Sequence, residues 1–119
     1  MSQYNFKNWI LETIAGAPIE AVVIGRMGWS GASDDVADDY NCEYVPNYVD
    51  MPKGTVLSWD EASEWLDFAV ETGFGAPTCP AIYIYTATNI FFVVQYDGSV
   101  SLYSLPRNPT AELPIMPGG

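Results

Sequence analysis

Phe6, Ile10 and Ile14 recur every fourth position, with Trp9 beside them and Lys7, Asn8 and Glu12 turned elsewhere. That period predicts a helix over residues 4–15. Ser2 is its expected N-cap and Gly16 its left-handed stop, with Pro18 just beyond. Residues 19–24, IEAVVI, are rich in β-branched side chains without helical period and predict a strand. From Gly25 to Pro52 the pattern dissolves, and a long surface loop is expected, with a short strand near Tyr44 to Val49. Ser58-Trp59-Asp60-Glu61 spells a capping box. The helix it opens is expected to run to about Glu71, with Trp59, Ala62, Trp65, Leu66, Ala69 and Val70 as its apolar face. Phe68 falls outside that face, as a contact residue or tucked under a loop.

The last third carries three strand-like runs, 81–87, 90–96 and 99–105, separated by Thr88-Asn89 and Asp97-Gly98. Asp-Gly is a strong hairpin signal, and a two-residue turn there pairs Tyr96 with Ser99 and Val93 with Leu102. A two-residue Thr88-Asn89 turn would pair Thr86 with Phe91 and Ile84 with Val93. One face of this meander is then aliphatic: Ile82, Ile84, Phe91, Val93, Val100 and Leu102. The expected fold is α+β, an antiparallel sheet of about four strands with two helices packed on one face. Residues 1–109 form one domain, and 110–119 form an extended tail rich in proline and glycine.

The opposite face of the meander holds Tyr83, Tyr85, Phe92, Tyr96 and Tyr103, where an antiparallel sheet open to water normally shows polar residues. Such a patch is too large to stay wet. A second subunit, the 25–52 loop or the tail would cover it; the other reading is a platform for a cationic or aromatic ligand. On the second helix, Asp60, Glu64, Asp67 and Glu71 would fall in one stripe without a basic neighbour, which suits a solvated face or a docking surface for a basic partner.

Charge narrows the chemistry. Fifteen acids against four bases give −11 at pH 7 in 119 residues, a surface that disfavours direct nucleic-acid binding. The chain has no histidine, which removes Ser-His and Cys-His pairs, a His general base and His metal ligands. Gly28-Trp29-Ser30-Gly31 lacks the spacing of a nucleophile elbow, and no phosphate-binding glycine loop is present. Asp34, Asp35, Asp38 and Asp39 are weak metal candidates, because their order departs from a calcium loop. No metal or cofactor is expected. Cys42 and Cys79 are expected as reduced thiols. Without a signal-like N-terminus or a spanning apolar run, the expectation is a cytoplasmic protein that does not enter membranes.

The block Ile90-Phe91-Phe92-Val93-Val94-Gln95-Tyr96-Asp97-Gly98-Ser99, continuing to Leu105-Pro106-Arg107-Asn108-Pro109, resembles the C-terminal hairpin of small bacterial proteins carried on mobile integron gene cassettes. The resemblance covers residues 90–109 and brings no functional residues with it. It implies a compact α+β bacterial protein, oligomeric and adaptive in use. The reading as a whole leans away from catalysis, toward a small binding protein that forms a homo-oligomer through its aromatic sheet face. The alternatives are an inhibitor-like acidic protein docking a basic partner and a binder of cationic or aromatic small molecules.

Overall fold

Asn5, not Ser2, opens the first helix. The computed structural model describes residues 3–28, 34–71, 76–96 and 99–117, so Ser2 and the Asp97-Gly98 turn lie outside the described residues. Gln3–Asn5 form strand β1, and helix α1 follows directly over Phe6–Ile14. The Asn5 side chain accepts from the Asn8 N–H at 3.0 Å. Phe6, Ile10 and Ile14 are all buried, as their spacing predicts. The helix stops through two left-handed residues, Ala15 at φ 58° and Gly16 at φ 84°; at the second, only glycine is free of a Cβ penalty.

Helix α2 spans Trp59–Trp65, and its capping box is complete: the Glu61 N–H donates to Ser58 Oγ at 3.2 Å, and the Ser58 N–H donates to Glu61 Oε1 at 3.2 Å. It does not reach Glu71. The chain turns at Leu66 so that β4, Ala69–Glu71, pairs antiparallel with β1, with Tyr4 opposite Val70. The Leu66 and Phe68 carbonyls accept from the Lys7 and Phe6 N–H groups at 3.1 and 2.8 Å. Phe68 is buried and stacks on Phe6, ring centroids 5.3 Å apart. A longer helix would have left Phe68 in water and kept four like charges in one stripe, which costs about 0.2–0.5 kcal/mol per i,i+4 pair. Tertiary burial overrides the helical pattern here.

The fold is α+β with a C-terminal meander, as expected, and among the described residues its main antiparallel sheet has five strands. Strands β2 (Ala21–Ile24), β3 (Val56–Leu57), β5 (Ile82–Tyr85), β6 (Asn89–Tyr96) and β7 (Ser99–Pro106) pair antiparallel in the order β3-β2-β5-β6-β7. Tyr96 pairs with Ser99 and Val93 with Leu102, as predicted. Between β5 and β6 the register differs: Ile84 faces Phe91, and the Thr86 N–H donates to the Asn89 carbonyl at 2.9 Å. The turn is therefore Ala87-Thr88, which lets Asn89 join β6. A two-residue slip leaves both faces intact, since side chains alternate with period two. Val22, Ile24, Ile82 and Ile84 meet the helices in one core with Phe6, Ile10, Ala62, Leu66 and Val70.

The 25–52 loop contains no strand near Tyr44 to Val49. Instead its described residues make three 3-10 turns, Val36–Asp38, Cys42–Tyr44 and Tyr48–Asp50. Val45, Tyr48 and Met51 are buried in the same core at intervals of three, the period of a 3-10 path. Asn41 and Asn47 supply the left-handed corners between turns, at φ 54° and 60°.

Candidate functional site: the outer sheet face

Every core-facing side chain of β2, β5 and β6 dictates that its neighbour points to the other side of the sheet. Tyr83 sits opposite Phe92, and Phe92 opposite Tyr103, so three aromatics form a row across β5, β6 and β7. The Phe92 and Tyr103 rings lie 6.4 Å apart, tilted by 32°. Tyr85 belongs to the same face and lies under the Arg107 guanidinium, 5.8 Å from ring centroid to Cζ. Tyr96 takes its place in the ladder by backbone register, its side chain lying outside what the structure describes. Among the described residues neither α1 nor α2 covers this face: their buried residues belong to the core on the other side.

The tail meets the face at one end. Past Arg107, which bonds Glu20 at 2.6 Å and the Thr86 carbonyl at 2.8 Å, residues 108–117 form neither helix nor strand. They enclose an open cleft of about 790 Å³ between Phe92, Leu105 and Pro106 on the sheet and Leu113, Ile115 and Pro117 on the tail. The face is still far from covered. On the face Tyr83 is 54% exposed and Val56 74%, while Tyr85, Phe92 and Tyr103 are half-buried; on the tail Leu113 is 84% and Met116 94% exposed.

The acidic residues are dispersed. Asp60 and Glu64 share α2, but Asp67 lies beyond it and Glu71 is on β4, so the four do not form one helical stripe. Asp67 accepts from Asn5 Nδ2 at 2.7 Å and pairs with Lys7 at 3.4 Å. Asn5 and Lys7 hold its carboxyl below the usual range. Among Asp34, Asp35, Asp38 and Asp39, no convergence of metal-ligating side chains occurs among the described residues. Asp35 caps the first 3-10 turn through the Ala37 N–H at 3.0 Å.

Asp39 belongs to a buried network that the linear pattern does not reveal. Arg26 grips its carboxylate with two N–H groups, Nε to Oδ2 at 3.1 Å and Nη2 to Oδ1 at 2.6 Å. The Tyr48 hydroxyl donates to the same carboxylate and accepts from the Met27 N–H at 2.7 Å. Lys53 completes the group, 4.1 Å from the Tyr48 ring centroid, donating to the Tyr48 and Met51 carbonyls. Burial alone would raise the Asp39 carboxyl, but the bonds from Arg26 and Tyr48 together hold it below its ordinary value. Burial, then the Asp39 bond, pushes the Tyr48 hydroxyl well up. Mutual satisfaction makes this a clamp on the loop rather than a set of reactive groups. The available signal was that two of four bases, Arg26 and Lys53, bracket an otherwise acidic segment.

Cys42 and Cys79 are free thiols, and burial pushes the Cys79 thiol up to about 12, disfavouring the thiolate. A smaller cleft of about 160 Å³ borders Arg26, Cys79, Val93 and Gln95, and the buried Gln95 Nε2 has no hydrogen-bond partner among the described residues. No helix among the described residues is long and apolar enough to cross a membrane. No family model matches this chain, and no curated protein or solved structure matches it either.

Proposed function

We propose that this is a non-catalytic binding protein that self-associates through the outer face of its sheet and the tail beside it. The carrying observation is where the exposed large apolar side chains lie. Six of the ten among the described residues, Val56, Tyr83, Leu105, Leu113, Ile115 and Met116, belong to the outer face or the tail, while Leu11 lies on α1 and Tyr40, Tyr44 and Val49 lie on the 25–52 loop. Apolar area removed from water is worth roughly 25 cal/mol per Å² before association costs. Charge supports a second copy as the occupant. Thirteen of fifteen acids and three of four bases lie in residues 1–71, a net of −10, which leaves −1 for residues 72–119. Two such chains repel least when they meet through the second part.

Sedimentation velocity across a concentration series tests it. Wild type is expected to dimerise, and Tyr83→Glu with Ile115→Glu to sediment as a monomer with unchanged far-UV circular dichroism. A monomeric wild type at about 100 µM sinks the reading. In that case, quenching of tyrosine fluorescence by cationic aromatic compounds would mark the face as a ligand platform.

A further inference from the structure

The five-stranded sheet has two edges of very different kind. On one side stands β3, only two residues long, which offers little to pair with. On the other stands β7, eight residues with the sequence SVSLYSLP and no charged side chain. Natural edges are usually blunted by shortness, charge, proline or a bulge. Over Ser99–Leu105, β7 carries none of the first three, and its register with β6 is unbroken by a bulge.

Which backbone groups point outward follows from one bond. The Arg107 N–H donates to the Thr88 carbonyl at 2.9 Å, continuing the β6–β7 ladder past its last pair. Hydrogen-bonded pairs alternate along an antiparallel ladder, so Leu105, Tyr103, Ser101 and Ser99 bond inward to β6. Val100, Leu102 and Ser104 therefore turn their N–H and C=O groups away from the sheet. None of the three bonds another segment among the described residues. Pro106 falls in the same outward set, where its missing N–H costs the sheet nothing.

We propose that a second copy of this chain pairs with β7 edge to edge, antiparallel, about a two-fold axis at Leu102. Val100 of each copy then faces Ser104 of the other and Leu102 faces Leu102, giving roughly six ladder bonds and one ten-stranded sheet. This register uses all three residues that carry both a donor and an acceptor, and it stops where Pro106 would leave a gap. Val100 and Leu102, half-buried on the core side, cover one another across the join. The two-fold axis is perpendicular to the sheet, so both aromatic faces lie on the same side. Each tail then leaves Pro106 beside the Ser99 end of its partner's β7. Eleven extended residues, 107–117, span up to about 36 Å, while strands are spaced about 4.8 Å apart. Leu113, Ile115 and Met116 thereby come within reach of the partner's outer face. The inference rests on the self-association reading and specifies the strand through which it occurs.

Ser104→Pro tests the edge. It removes an outward N–H while leaving every β6 bond, just as Pro106 already does two residues on. The dimer is expected to weaken at least roughly tenfold in sedimentation, because two symmetry-related bonds are lost. Tyr83→Glu, two strands away, separates the two ideas. A dimer that survives Ser104→Pro but not Tyr83→Glu overturns edge pairing and keeps the face reading. Should Ser104→Pro fail to fold, hydrogen exchange on the wild type decides. Protection of the Val100, Leu102 and Ser104 amides that grows with protein concentration supports the pairing. Protection independent of concentration means the chain's own tail covers the edge, and absent protection at concentrations where the protein is dimeric means nothing does; either overturns it.

Discussion

The described parts of residues 25–53 and residues 107–117 are both built without long helices or strands. Yet the first seats part of its apolar side chains in the core, leaving Tyr40, Tyr44 and Val49 exposed, and the second leaves its own outside. The first segment turns Val45, Tyr48 and Met51 into the core. The second turns Leu113, Ile115 and Met116 toward solvent. The difference lies in what anchors each path. The loop carries an internal cation–carboxylate clamp, Arg26 to Asp39 to Tyr48, which satisfies polar groups that its burial would otherwise orphan. It also has a three-residue period that a succession of 3-10 turns can bury on one side. The tail has four prolines from Pro106 onward, which remove backbone donors, and it is anchored at its root by Arg107 on Glu20 and Thr86. An irregular segment becomes core when it brings its own hydrogen bonds; without them its apolar groups stay available to something else.

Breaking the clamp should have the largest effect. Asp39→Ala leaves the buried Tyr48 hydroxyl without its acceptor and takes the carboxylate from Arg26, which keeps its bond to the Asp35 carbonyl. Removing one partner of a buried pair costs roughly 3–5 kcal/mol. The Arg26 side chain is 35% exposed against 1% for Asp39, so the lower end of that range is expected in urea denaturation. A loss under about 1 kcal/mol would mean that the loop is held by its apolar residues alone, and the contrast with the tail would lose its cause.

Tyr48→Phe sharpens the same comparison more gently. The ring stays, but the Met27 N–H loses its acceptor and Asp39 loses a donor, for about 1–3 kcal/mol. The pH response separates this from simple packing loss. A carboxyl whose folded pKa lies below its unfolded value contributes stability that is fully present above the ordinary carboxylate range. That contribution fades only as pH falls through the lower folded value. Asp39 is such a group. Losing the Tyr48 bond lets its folded pKa rise, so acid unfolding of Tyr48→Phe, followed by circular dichroism, should begin at higher pH than in wild type. Coincident acid midpoints, once corrected for the stability difference, would show that the bond is not what holds Asp39 ionised.

Local rules made much of the fold legible. The spacing of Phe6, Ile10 and Ile14 placed α1, the Ser58–Glu61 box placed the start of α2, and the meander's aromatic and aliphatic faces followed from alternation alone. What escaped were decisions taken between distant residues. Phe68 ends α2 because Phe6 waits for it, and β4 exists because β1 pairs with it. Asn89 joins β6 because its backbone closes on Thr86, a choice that the Thr88-Asn89 pair does not announce. Of the candidate site, the shared face of Tyr83, Phe92 and Tyr103 was readable from alternation, and the Phe92–Tyr103 pair from the β6–β7 register. The expected β5–β6 register, two residues off, did not set Tyr83 opposite Phe92. The acidic stripe was not there to be read, since it presumed a helix that tertiary pairing cuts short.

The smallest effect on folding, and the most telling for the tail, is expected from Leu113→Ser with Met116→Ser. Both side chains are more than four-fifths exposed, and surface substitutions away from special features usually change stability by within about 0.5 kcal/mol. Dilute protein should therefore melt as wild type does. Concentrated protein should not. If the tail's apolar groups are covered by a second copy, the wild-type melting temperature climbs with protein concentration, because association draws the folded chain into the assembly. The double variant should flatten that climb while leaving the dilute melting point in place. A drop at every concentration would instead mean that Leu113 and Met116 pack on their own chain, and that the tail, like the loop, is part of the core it borders.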